Sequence, residues 1–98
     1  MPFTQTMTVE ADAAEPLADL VDAWHREQFG VAPGYQGARV LADTERSGRY
    51  VIEVDFSSEE EAVKNNDRAE TSAWADRLNA HVSGEPEYAN FAVVHSTS

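Results

Sequence analysis

The spacing of hydrophobic positions changes along the chain, and each change marks a new element. From Phe3 to Val9 the pattern alternates. Phe3, Gln5, Met7 and Val9 share one side, and Thr4, Thr6 and Thr8 share the other. Alternation among β-favouring residues predicts a strand whose apolar row is interrupted only by Gln5. From Ala14 to about Phe29 the spacing becomes helical. Leu17, Leu20, Val21, Trp24 and Gln28 fall on one face, with Asp19, Asp22 and Arg26 opposite. Pro16 suits a first turn, where its missing N–H has no partner to lose. Gly30, followed by Pro33 and Gly34, ends the helix.

Tyr35 to Ala42 and Arg49 to Phe56 read as the two strands of a hairpin, joined by the turn-forming "DTERSG". Tyr50, Ile52, Val54 and Phe56 make an apolar row, and Arg49, Val51, Glu53 and Asp55 make the other. Pairing Val40 with Ile52 sets Ala38 opposite Val54 on one apolar face. The same register sets Arg39 opposite Glu53, a favourable cross-strand charge pair. A slip of one residue would mix the faces, so this register is expected, with Thr44 to Gly48 as the loop.

"SSEEEA" then opens a second helix. Ser58 and Glu61 have capping-box spacing, and the glutamates lie where the helix dipole favours negative charge. The helix is expected to falter near Asn65–Asn66 and to restart after Asp67, with Asp67 and Glu70 as a second capping box. Beyond it Trp74, Leu78 and Val82 share a face, with Thr71 above them. Gly84 and Pro86 end the segment, and Tyr88 to His95 reads as a last strand with Ala89, Phe91, Val93 and His95 on one side. The order β-α-β-β-α-β predicts a ferredoxin-like α+β fold: an antiparallel sheet with two helices on one face, as a single domain over residues 1–98. Val51 lies on the row opposite Ile52, so apolar groups occupy both sides of the sheet. Helices cover one side, and a second copy of the chain is the simplest cover for the other. A homodimer through the sheet face is therefore expected.

Charge and composition narrow the function. The chain has 98 residues and a formal net charge of −11, from 18 acids against 7 bases. Its sole lysine is Lys64, and clustered Lys and Arg are what phosphate backbones need, so neither nucleic acid nor an anionic membrane is an expected partner. No apolar run approaches the roughly 20 residues of a membrane span. The opening "MPFTQTMTVE" lacks the basic and apolar regions of a signal peptide, so a cytoplasmic location is expected. The absence of cysteine removes disulfide, thiol and Cys-based zinc chemistry. The acid run lacks the glycine-containing pattern of a calcium loop, and His25, His81 and His95 have no metal-ligand spacing.

The stretch "PGYQGARVLADTERSGRYVIEVDFSSEEEAVKNN" resembles the central hairpin and following helix of antibiotic-biosynthesis-monooxygenase-like proteins, which form dimeric α+β barrels. "AWADRLNAHVSGEPEYANFAVV" continues the resemblance over nearly the whole chain. It implies a homodimer with facing sheets and a pocket between sheet and helices in each subunit. Some relatives oxidise polycyclic aromatic or quinol-type substrates with dioxygen and without metal or flavin, so no cofactor is expected. Asn, Trp and Arg side chains are typical of such pockets. Other relatives degrade haem with an Asn on the first strand and a Trp and a His on the second helix. Here the first strand offers Gln5, and the spacing of Trp74 and His81 departs from that pattern.

Four residues are candidates for catalysis. Trp74 is a core aromatic or a stacking wall for a planar ligand. Asn66, with its neighbour Asn65, is helix punctuation, or Asn66 aims its amide at a substrate oxygen. Arg39 pairs with Glu53 or stabilises a phenolate or enolate. His95 is an edge histidine or a general base. A processed N-terminal Pro2 could act as the base of a tautomerase, but the element order fits the barrel family better. Two functions follow: a cofactor-free monooxygenase for a small planar compound, or a non-catalytic dimeric binding module of the same fold.

Overall fold

The structure, a computed structural model, describes residues 1–97. Ser98, the last residue of the expected domain, lies outside the described residues. The elements are β1 (Phe3–Glu10), α1 (Glu15–Gln28), β2 (Tyr35–Ala42), β3 (Arg49–Phe56), α2 (Glu59–Asn66), α3 (Ala69–Asn79) and β4 (Ser83–Ala92). The strands form one antiparallel sheet in the order β2-β3-β1-β4. The β1-α1-β2 crossover leaves a gap that β3 fills, which is the split βαβ of a ferredoxin-like fold. The helical connection after β3 is divided in two.

The hairpin register is the one that charge and apolar rows require. Val40 lies opposite Ile52, Ala38 opposite Val54 and Arg39 opposite Glu53. Arg39 Nε donates to Glu53 Oε1 at 2.9 Å. The Asp43 amide bonds the Arg49 carbonyl at 3.0 Å and closes the loop, while Gly48 supplies a positive φ of 84°.

One face of the sheet carries the core. Phe3, Met7 and Val9 of β1 and Ile52, Val54 and Phe56 of β3 are buried against the helices. The α1 stripe of Leu17, Leu20, Val21, Trp24 and Gln28 is buried over them, with Trp74 and Leu78 of α3. Full burial of one such aliphatic or aromatic side chain contributes about 1.5–3 kcal/mol. Among the described residues no helix lies over the opposite face. Phe91 and Leu41 are exposed there and Val51 is half-buried, among the threonines of β1.

Two local expectations are corrected. The Ser58 cap forms, accepting from the Glu61 amide at 3.2 Å, but Asp67 does not cap α3. Asp67 is itself the end of α2, in helical conformation (φ −88°, ψ 0°), whereas an N-cap needs extended backbone. Arg68 takes that position without a side-chain cap bond. The last strand begins and ends earlier than its alternation suggests. Thr8 pairs with Glu87 and Glu10 with Ser83, so Gly84 to Pro86 bulge opposite Val9. Pro86 is tolerated because β4 is an edge strand with one unpaired side. Among the described residues no helix is long and apolar enough to cross a membrane.

Candidate functional site

The break between α2 and α3 builds the site. Consecutive helical residues diverge by about 100° around the axis, so Asn65 and Asn66 cannot point the same way. Asn65 turns inward and is only 3% exposed, following Ala62 one turn earlier. Asn66 is exposed. Asn65 Oδ1 accepts from Thr71 Oγ1 at 3.1 Å and from Arg68 Nη1 at 3.2 Å. Two donors on one oxygen fix which way the amide faces. Its NH₂ is thereby left as the free end, with no protein acceptor among the described residues.

Both asparagines border a cavity of about 380 Å³ between the sheet and the helices. Small-molecule sites occupy about 300–1,000 Å³. The floor is apolar, with Met7, Ile52, Val54 and Phe56 contributing. Trp24 and Trp74 form a corner, their ring centroids 5.9 Å apart at 63°. Gln5, Thr71 and Ser72 add neutral polar groups, and Tyr88, 56% exposed, stands at the mouth. No lining side chain carries a charge.

The two indoles differ. Trp74 Nε1 donates to the Leu20 carbonyl at 2.9 Å, which pins the ring and leaves its faces and edge for contact. Among the described residues Trp24 Nε1 is buried with no partner, as is Gln28 Oε1 one turn further along α1. Gln5 is held at the sheet by its Nε2 bond to Asn90 Oδ1 at 3.2 Å.

The cavity thus brings together Trp74 and Asn66 of the candidate residues, and leaves out the other two. Arg39 lies on the row facing away from the helices, paired with Glu53 and with its side chain 66% exposed. The cavity side of β2 is given by Ala38 instead. His95 lies beyond the end of β4, exposed, so the alternation that placed it on a strand stops short of it. Pro2 is exposed and does not line the cavity. Asn65 is the residue that sequence reasoning missed as a site residue. Its burial, which only the fold reveals, is what separates it from Asn66. The helical spacing puts Thr71 on the cavity side and Gln5 interrupts the row that faces it, but neither residue type marks a site by itself.

Elsewhere, Tyr35 is buried beneath α1, with its hydroxyl 2.8 Å from His25 Nδ1. Burial, and then the charge of Asp55, push that hydroxyl above the usual tyrosine pKa. Among the described residues no group of three His, Cys, Asp or Glu side chains is placed to hold a metal ion.

No family model matches the chain, and no curated protein matches it either. Solved structures do match closely in shape. A proposed antibiotic biosynthesis monooxygenase from Bordetella bronchiseptica superposes with a TM-score of 0.75 at 17% identity, covering 96% of this chain and 98% of that one. One from Nitrosomonas europaea gives 0.74 at 12% identity, covering 99% and 94%. SnoaB from Streptomyces nogalater, described as a cofactor-independent oxygenase, gives 0.72 at 14% identity, covering 97% and 94%. At these identities the likeness is one of fold, and the fold is the one that the resemblance implied.

Proposed function

We propose that the chain belongs with the antibiotic-biosynthesis-monooxygenase-like proteins and is a cofactor-free oxygenase for a small, planar, electron-rich aromatic or quinol-type compound. The observation that carries this reading is an apolar cavity with two indole walls and one fixed, unpaired amide donor, Asn65. The shared fold with SnoaB supports it.

The chemistry needs a substrate that reacts with dioxygen as an anion. Loss of a proton from an activated ring CH₂ gives the anion, which passes one electron to dioxygen. The two radicals combine to a peroxide anion, which takes a proton back to give the hydroperoxide, whose O–O bond then breaks with loss of water. The balance is R₂CH₂ + O₂ → R₂C=O + H₂O. The indoles hold the ring flat. Asn65 Nδ2 donates to the oxygen on which negative charge develops, an interaction stronger in the transition state than in the ground state. The floor excludes water and strengthens that bond. Asn66 and Ser72 border the same space.

A second reading, a binding module without turnover, is favoured by one observation. The lining holds no Asp, Glu, His or Lys to accept the proton. Oxygen uptake separates the two readings. A panel of anthrones and hydroquinones should give catalysed uptake in wild type, falling at least about tenfold in Trp74→Phe, which removes the bond that pins the ring. No uptake with any member would leave only the binding module. The uncovered face of the sheet, with Leu41, Val51 and Phe91 upon it, is the surface through which we infer that two copies pair. Sedimentation at micromolar concentration should give twice the 10.8 kDa chain mass, and a monomer would refute the pairing.

A further inference from the structure

We propose that the cavity selects an uncharged planar ring compound bearing hydrogen-bond-accepting oxygen, and rejects the same ring bearing a permanent negative charge. The inference rests on reading the cavity as a small-molecule site and adds a charge rule to it. Three observations point the same way. First, the lining offers amides, hydroxyls and aromatic rings but no cation. A carboxylate or phosphate entering such a wall would lose its water without gaining a counter-charge, which is the costliest burial available to a ligand.

Second, the cation beside the site is already committed. Arg68 is 17% exposed at its side chain and donates through Nη1 to Asn65 and through Nη2 to Glu70 Oε2 at 2.6 Å. It acts on the ligand through Asn65. A guanidinium bound to the amide oxygen polarises the amide and strengthens its N–H as a donor. Arg68 is therefore a positioning residue, and what it presents to the ligand is a neutral donor. Arg39, the other arginine considered for the site, is on the far side of the sheet, held by Glu53. Third, the net charge of −11 disfavours the approach of anions to the protein as a whole.

The chain's two tryptophans both line the cavity, so intrinsic fluorescence reports on this site. The probes are anthraquinone-2-carboxamide and anthraquinone-2-carboxylate, which share ring and shape and differ in charge. Near neutral pH the carboxamide should quench with at least about tenfold higher affinity, or about 1.4 kcal/mol. The gap should persist near 1 M salt, where the Debye length of about 3 Å removes the long-range field and leaves the wall itself. Arg68→Gln should weaken carboxamide binding several-fold, with Arg68→Lys restoring part of it, while the carboxylate remains the poorer ligand in both. Equal or tighter binding of the carboxylate would overturn the proposal, as would a gap that closes at high salt or quenching by neither probe. A neutral ring that binds without supporting oxygen uptake would remove the oxygenase reading and leave the charge rule standing. Uptake confined to carboxylated anthrones would do the reverse.

Discussion

Replacing Asn65 by alanine removes the oxygen that Arg68 and Thr71 share. The half-buried Thr71 hydroxyl loses its acceptor, worth about 1 kcal/mol. Arg68 loses a charge-assisted bond worth about 1.5–3 kcal/mol, reduced because its contact to Glu70 survives and some solvent reaches it. The sum is about 2–4 kcal/mol. For a domain of this size each kcal/mol lowers Tm by roughly 4–8 °C, so Asn65→Ala should melt at least about 8 °C below wild type. Asn66→Ala changes an exposed side chain with no hydrogen bond among the described residues, and should stay within about 0.5 kcal/mol. Asn65→Asp separates fold from function. It keeps oxygens toward Arg68 and Thr71 but exchanges the free NH₂ for a second acceptor. Stability should remain within about 1 kcal/mol of wild type while carboxamide affinity falls at least about tenfold. Urea unfolding and ligand quenching, both followed by tryptophan fluorescence, give the two numbers. An Asn65→Ala as mild as Asn66→Ala, or an Asn65→Asp that binds like wild type, would refute the reasoning.

Three further outcomes follow from single contacts. Trp74→Phe removes a second bond to the Leu20 carbonyl, which keeps its own helical bond, and should cost about 0.5–1.5 kcal/mol more than Trp24→Phe, which removes an N–H with no partner among the described residues; urea midpoints decide it. Gly34→Ala would set a Cβ 2.5 Å from Glu61 Cβ and 2.6 Å from Ser57 Oγ at φ 65°, whereas Gly30→Ala at φ 84° meets open space. The second should cost about 1–2 kcal/mol and the first about 1–3 kcal/mol more, read as the difference in Tm. The Tyr35 hydroxyl has its pKa raised in the folded state by burial and then by Asp55. Its contribution is therefore whole below the unfolded value of about 10 and is lost as pH climbs through the raised folded value. Tyr35→Phe should be less stable by about 0.5–1.5 kcal/mol at neutral pH, having lost the bond to His25, but should show a shallower loss above about pH 10 in urea midpoints against pH.

Sequence periodicity revealed the fold because its signals were redundant. The α1 stripe has Leu, Trp and Gln at helical spacing, and each of those residues is buried. The hairpin register was fixed twice, by the apolar row and by the Arg39–Glu53 pair. Where a single signal stood alone, it misled. Alternation from Tyr88 onward runs smoothly through Val93 and His95, but pairing with β1 ends at Ala92. Pro86 reads with Gly84 as the end of the helical segment, and only the sheet order shows that β4 is an edge that takes the proline in. Asn65 and Asn66 were indistinguishable in sequence, because which amide faces inward depends on where α2 ends. At that end the Asn65 side chain bonds forward to Arg68 and Thr71 across the break. Arg39 was a reasonable anion binder by type, but period two assigns it to the face away from the cavity, the same alternation that paired it with Glu53.

In the proposed reaction the cavity holds a planar substrate while dioxygen oxidises it, with Asn65 stabilising the anion. A single-turnover reaction under ¹⁸O₂ with an anthrone, followed by mass spectrometry, tests it most directly. The account predicts one labelled oxygen in the new carbonyl, the other in water, and a rate at least about tenfold slower in Asn65→Asp. Unlabelled product, or labelled product formed as fast by Asn65→Asp as by wild type, would contradict it.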